Sequence, residues 1–310
     1  RLCKGDTVSV ISPASFVVDE LLEKAVKNIE SLGLKVKLGK NIRADRGYIA
    51  GTDAERLADL HAAFSDPQTQ GVWCARGGYG CTRLLPNIDY KLICKNPKVF
   101  VGFSDITALH QAFYVETGLV SFHGPVGASD FTDYSVEHLT KVLFEPQEQL
   151  EITLATANQE KGEKNTAYQA RSINAGVAEG KLAGGNLSLV AAMAGTKWAF
   201  DAKDHLFFLE EIGEKPYRVD RMLTQTRQTA HLKEAAGLAL GVFANCAPKA
   251  TDRSLSLQEC LDDRLKDLNV PTVYGLSFGH ISHQFTLPVG VRARLDTEKM
   301  RLTLLEPAVV

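Results

Sequence analysis

Ser104 follows the apolar run VFVGF, residues 99–103, and directly precedes the helix-like segment DITALHQAFYVETG. A serine at a strand-to-helix turn presents its hydroxyl at the carboxyl edge of a sheet, where open α/β folds place ligands. The N–H of the next residue, Asp105, is a helix-start donor without an intrahelical partner and can stabilise an oxyanion. This is the logic of the nucleophile elbow, although GFSD lacks the second glycine of G-x-S-x-G. A serine at that place is equally a helix N-cap, so both roles stand open. A second strand-like run, GVWCAR, ends in Arg76, Gly77, Gly78, Tyr79 and Gly80. Adjacent glycines permit positive φ and close backbone approach, so their N–H groups can converge on an anion or simply form a tight turn. Further on, HLFFLEE closes with Glu210 and Glu211, whose side chains must leave an extended strand on opposite faces. The segment GLSFGHISHQFTLPVG holds His280 and His283 in a glycine-flanked loop. Their spacing is not the i, i+4 of H-E-x-x-H and no Glu lies between them, so no metal is expected. Arg218 and Arg221 follow Pro216 on a helical stretch, where ion pairing is favoured over substrate binding.

Positioning these groups requires strands that end together. Residues 6–14, 35–39, 71–76, 99–103 and 119–124 read as strands, and amphipathic segments at 18–32, 51–66 and 105–118 separate several of them. Such alternation argues for βαβ units and a largely parallel sheet. Residues 147–175 are polar and read as a connection with one strand at most. Beyond them, GGNLSLVAAMAG reads as a buried helix after a glycine turn, GLALGVFA as a strand, SLQECLDDRLKDL as a helix, and the last thirty residues as short strands. The expected fold is α/β, with an N-terminal α/β domain over 1–160, a linker at 161–174 and a β-rich α/β domain over 175–310.

Composition narrows the function classes. The 310 residues carry 35 Lys plus Arg against 37 Asp plus Glu. That balance gives no basic face for nucleic acid or an anionic membrane, and the longest apolar run, 235–244, is far short of the roughly 20 residues that span a bilayer. None of the six cysteines forms a CxxC pair, so free thiols and a cytoplasmic location are expected. An export signal removed before Arg1 is the alternative and implies the periplasm.

Taken in order, ARGGYG, GFSDITALH, GGNLSLVAAMAGT, LEEIGEKPYRVDRML and GLSFGHISHQFTLPVG resemble blocks of the serine LD-carboxypeptidases of bacterial peptidoglycan recycling. The resemblance runs from ISPAS to LPVG and so covers nearly the whole chain. It implies Ser104 as nucleophile, Glu210 as the acidic member and His280 as the base. Oxyanion donors are then the backbone N–H groups of Asp105 and of Gly78, or of Gly77 in its place. The terminal carboxylate of a substrate falls to the Gly77 to Gly80 loop, with Arg76 or Arg218 as cationic candidates. The resemblance implies a murein tetrapeptide substrate, a homodimer and no cofactor. It also covers self-immunity hydrolases of peptidyl-nucleotide antibiotics, which is one alternative; a non-catalytic ligand-binding α/β protein is another.

Overall fold

A computed structural model of the chain describes residues 1–310. In the first half, short strands, most of them buried, alternate with helices. The elements are β1 (Thr7–Ile11), α1 (Asp19–Ser31), β2 (Lys35–Leu38), α2 (Asp53–Ser65), β3 (Gly71–Cys74), α3 (Tyr90–Lys95), β4 (Val99–Gly102), α4 (Thr107–Thr117), β5 (Ser121–His123) and α5 (Asp133–Leu143). Every residue of β3 is buried, as expected of a parallel strand covered on both faces. α1 buries Leu22, Ala25 and Ile29 at helical spacing. α2 opens on a capping box in which Thr52 and Glu55 satisfy each other's backbone N–H groups. The strands lie in the order β2-β1-β3-β4-β5, all parallel. The order reverses between β1 and β3, and at such a switch point the loops leaving the carboxyl ends open a crevice. Ser15 follows β1, the glycine loop follows β3, and Ser104 follows β4.

The second half contains β6 (Leu150–Ile152), α6 (Thr156–Gly162), β7 (Arg171–Asn174), β8 (Val177–Asn186), α7 (Leu187–Ala192), β9 (His205–Ile212), α8 (Pro216–Thr229), β10 (Gly237–Ala244), α9 (Leu257–Leu265) and β11 (Thr272–Leu276). After them come β12 (Leu287–Val289), β13 (Arg292–Asp296) and β14 (Arg301–Leu304). An eight-stranded sheet runs β6-β14-β13-β8-β9-β10-β11-β7. Its centre, β8 to β11, is parallel, and the flanking strands are antiparallel. All eight residues of β10 are buried. The fold is therefore mixed α/β, with one mostly parallel sheet and one larger mixed sheet.

The chain divides into two compact units, and the division differs from the expected one. One unit comprises Arg1–Pro146, Thr286–Gly290 and Ala308–Val310, and the other Gln147–Phe285 and Val291–Pro307. The boundary falls at Pro146, before the expected 160. The expected linker, 161–174, contains the end of α6 and the whole of β7, which pairs antiparallel with β11. A polar stretch suffices there because an edge strand needs few apolar contacts: β7 lies at the sheet edge and none of its four residues is fully buried. Nor does 175–310 form one unit. β12 pairs antiparallel with β5 and completes the first sheet as its edge, a place where Pro288 is tolerated. The expected glycine turn is also absent, because Gly184 and Gly185 belong to the ten-residue β8, which runs straight into the short α7. No helix is long and apolar enough to cross a membrane.

Candidate active site

In the first unit the buried strand β4 turns sharply into a 3₁₀ turn, Ser104–Ile106, that feeds α4. Ser104 has φ 66°, a left-handed conformation that a non-glycine residue adopts only under local constraint. Phe103 occupies the N-cap position of the turn, and no side chain caps α4. Ser104 thus sits inside the turn rather than at its cap.

The glycine loop after β3 closes on this turn. A Cβ placed on Gly77 would lie 3.0 Å from the Ser104 Cβ and 3.2 Å from its Oγ. Gly78 has φ 121°, and a Cβ there would fall 2.2 Å from the Ser15 Oγ, so only glycine fits. The Ser15 hydroxyl donates to the Tyr48 carbonyl (2.7 Å) and accepts from the Tyr79 N–H (3.1 Å), tying three loops together. Arg76 donates to the Phe16 carbonyl (3.2 Å), which engages one arm of its guanidinium in holding the loop after β1. The Asp105 carboxylate is buried and accepts from the Cys81 N–H (2.8 Å). Burial raises its pKa, and bonds from Cys81 together with the charge of Arg56 oppose that rise.

The second unit carries the other candidates. Glu210, on β9, is completely buried, and its Oε2 lies 2.7 Å from His280 Nδ1. Burial disfavours the charged imidazole, but the charge and hydrogen bond of Glu210, with the charge of Glu211, outweigh it and hold the His280 pKa above its ordinary value. Carboxylate contact at Nδ1 fixes a neutral tautomer with its proton there and a basic Nε2. Gly279 makes the contact possible. Its φ is 108°, and a Cβ on it would sit 2.9 Å from the Glu210 Cβ.

Glu211 points the other way and takes no part in that pair. It accepts from the Ser188 N–H (2.8 Å) and hydroxyl (2.7 Å) and from its neighbour Ile212 N–H (2.8 Å). His283 is not joined to His280 in any metal-like cluster, and no group of three or more His, Cys, Asp or Glu side chains could hold an ion. Arg218 lies exposed on α8 and bonds Glu214 at 3.3 Å.

Chemically, a buried carboxylate on one imidazole nitrogen makes a general base of the other. A strained strand-end serine beside a loop of glycine amides suits nucleophilic attack and anion stabilisation. Comparison with known proteins gives these parts a family. Residues 8–124 match the LD-carboxypeptidase N-terminal domain and residues 179–295 the LD-carboxypeptidase C-terminal domain. The chain belongs to the LD-carboxypeptidase family. It is accordingly a hydrolase of the serine-type carboxypeptidase class. A probable murein peptide carboxypeptidase of Bacillus subtilis is 42% identical over 296 residues, covering 96% of this chain and 90% of that protein. The crystal structure of a muramoyltetrapeptide carboxypeptidase from Oxalobacter formigenes is 32% identical with TM-score 0.82, covering 96% and 97% of the two chains. An MccF-like protein from Bacillus anthracis is 30% identical with TM-score 0.86, covering 98% of each.

Two features of this LD-carboxypeptidase escape a reading for reactive residues alone. Ser15, which closes the ISPAS segment, and Arg56, which lies in no motif, both hold the glycine loop, through the Tyr79 N–H and the Gly80 carbonyl. Arg56 had a legible signal: with Leu60, Ala63 and Phe64 it lies on the buried face of α2, at offsets of one and two helical turns. His110 is fully buried and bridges Ser121 Oγ and the Gly102 carbonyl, each at 2.8 Å. Burial pushes its pKa down to about 3, so it is neutral.

Proposed function

We propose that this chain is a serine LD-carboxypeptidase that releases the terminal D-Ala from murein tetrapeptides in peptidoglycan recycling, acting as a homodimer through a Ser-His-Glu acyl-enzyme mechanism. The observation that carries the mechanism is the 2.7 Å bond between the completely buried Glu210 and His280. In this reading His280 Nε2 takes the Ser104 proton as Oγ attacks the scissile carbonyl, and Glu210 stabilises the imidazolium that forms. The N–H groups of Asp105 and of Gly78, or of Gly77 in its place, receive the tetrahedral oxyanion. His280 then protonates the departing D-Ala amine, and water cleaves the acyl-enzyme.

Murein peptides are the first substrate to try, since they appear in the names of two of the relatives. A second reading, hydrolysis of a peptidyl-nucleotide, draws on the similarity to an MccF-like protein. Mass spectrometry of the protein incubated with murein tetrapeptide, its C-terminal amide and a peptidyl-adenylate separates the readings. Loss of D-Ala from the free acid is expected. An exopeptidase binds the terminal carboxylate, which Gly77, Arg76 and Arg218 are proposed to meet. Amidation should then lower kcat/KM by about 10- to 100-fold, the equivalent of roughly 1.5–3 kcal/mol for a charged hydrogen bond. Equal rates on acid and amide would make the activity that of a general amidase, and cleavage of the adenylate alone would favour the second reading.

A further inference from the structure

The peptide bond between Gly80 and Cys81 is gripped on both edges by buried charged side chains. Its N–H, from Cys81, donates to the Asp105 carboxylate at 2.8 Å. Its carbonyl, from Gly80, accepts from Arg56 Nη1 at 2.9 Å. The same Nη1 donates to the Pro13 carbonyl (2.6 Å) in the loop after β1, and Nη2 pairs with Asp53. Asp105 is 2% exposed and so is Arg56. Burying a carboxylate and a guanidinium is unfavourable unless both are well bonded. Here the bonds reach main-chain groups in the loops after β1 and β3, and Asp105 itself lies just after β4.

We propose that the side chains of Asp105 and Arg56 form a clamp that sets the position of the glycine loop relative to Ser104. Both are positioning residues. Asp105 adjoins the nucleophile in sequence, so its carboxylate transmits the position of the Ser104 turn to Cys81. Arg56 holds the other edge of the same peptide and references it to the end of β1. The Gly78 and Gly77 amides, a few residues before the gripped peptide, are thereby kept where an oxyanion would form. This inference rests on the assignment of Ser104 and the glycine loop in the proposed function.

The test is steady-state kinetics on murein tetrapeptide for Asp105→Ala, Asp105→Asn, Arg56→Lys and Ser104→Ala, with Tm measured for each. Displacing a group by about an ångström lowers turnover on the order of 100-fold. Asp105→Ala should therefore lose about 100-fold in kcat with KM changed less than about 3-fold. Asn retains an oxygen that accepts from Cys81, so Asp105→Asn should recover most of that loss and stay within roughly 10-fold of the parent. Arg56→Lys cannot bond two carbonyls and Asp53 in one plane and should lower kcat about 10-fold or more. A folded Asp105→Ala enzyme with unchanged kcat, or equal losses in Asp105→Ala and Asp105→Asn, would overturn the clamp. Should Asp105→Ala not fold, Arg56→Lys decides, and unchanged kcat in that variant overturns the clamp as well. Full turnover in Ser104→Ala would instead remove the underlying assignment, a result distinct from failure of the clamp alone.

Discussion

Ser104 and Glu210 both stand near the carboxyl end of a parallel strand, yet the two units treat them in opposite ways. Ser104 is presented by the backbone. A left-handed φ at the end of β4 and the approach of Gly77 shape its surroundings, and the neighbouring side chains serve mainly to hold loops. Glu210 stays in register with Asn186 of β8, beside a register shift between β9 and β10, and is hidden by packing until no part of it is exposed. The difference matches what the proposed mechanism asks of each group. In the proposed mechanism the nucleophile must be reached by substrate, and main-chain geometry that leaves room suits that role. An orienting carboxylate gains from a low local dielectric, where its bond to an imidazole is stronger than in water.

The sharpest way to break this comparison is Ser104→Ala. Turnover should drop about 10⁴-fold or more, while the turn persists because alanine replaces only the hydroxyl. A folded variant with near-parental kcat would remove the covalent mechanism, and equal Tm values would show that the backbone, not the hydroxyl, builds the turn.

The second test contrasts adjacent residues in the other unit. Glu210→Gln removes the charge from a buried pair and should lower kcat by roughly 10³-fold. Glu211→Gln leaves the His280 contact in place. It disturbs the bonds to Ser188 and Ile212, so its effect should be a stability loss of about 1–3 kcal/mol, read as a lower midpoint in urea. The reverse pattern, with Glu211→Gln inactive and Glu210→Gln merely less stable, would exchange their roles.

The smallest effect is a shift in pH dependence. In the proposed mechanism His280 must be neutral to accept a proton, and Glu210 and Glu211 raise its pKa above 6.5 against the opposing influence of burial. Parental kcat/KM should therefore fall as pH drops through a value above 6.5. In Glu210→Gln the largest favourable charge is gone while burial remains, so the acid limb of the residual activity should move to lower pH. An acid limb unmoved by Glu210→Gln would mean that another group controls it.

The parallel first sheet was readable from the alternation of buried runs with amphipathic ones, and the strand-end position of Ser104 from VFVGF meeting DITALH. Other features depend on contacts distant in sequence. Gly184 and Gly185 look like a turn locally. They belong to a strand because β9 pairs with them, Gly184 opposite Phe208 and Gly185 opposite Leu209. Residues 147–175 look like a linker because edge strands need so little apolar surface. That Glu210 rather than Glu211 meets His280 depends on strand register and on Gly279, since alternation says only that one of the two can. Arg56 shows the reverse: its helical position was legible, but nothing local says that its bonds go to main-chain carbonyls.

The return of residues 286–290 to the first sheet has a consequence for synthesis. As the chain leaves the ribosome, β5 emerges long before β12, and until then its outer edge carries unpaired main-chain groups of the kind that recruit foreign strands. The first unit therefore cannot finish folding as a free-standing N-terminal half, and domain-by-domain maturation does not apply in its simple form. Its edge is sealed only after nearly all of the second unit has been made, so a nascent chain stalled in that interval is the species most open to aggregation.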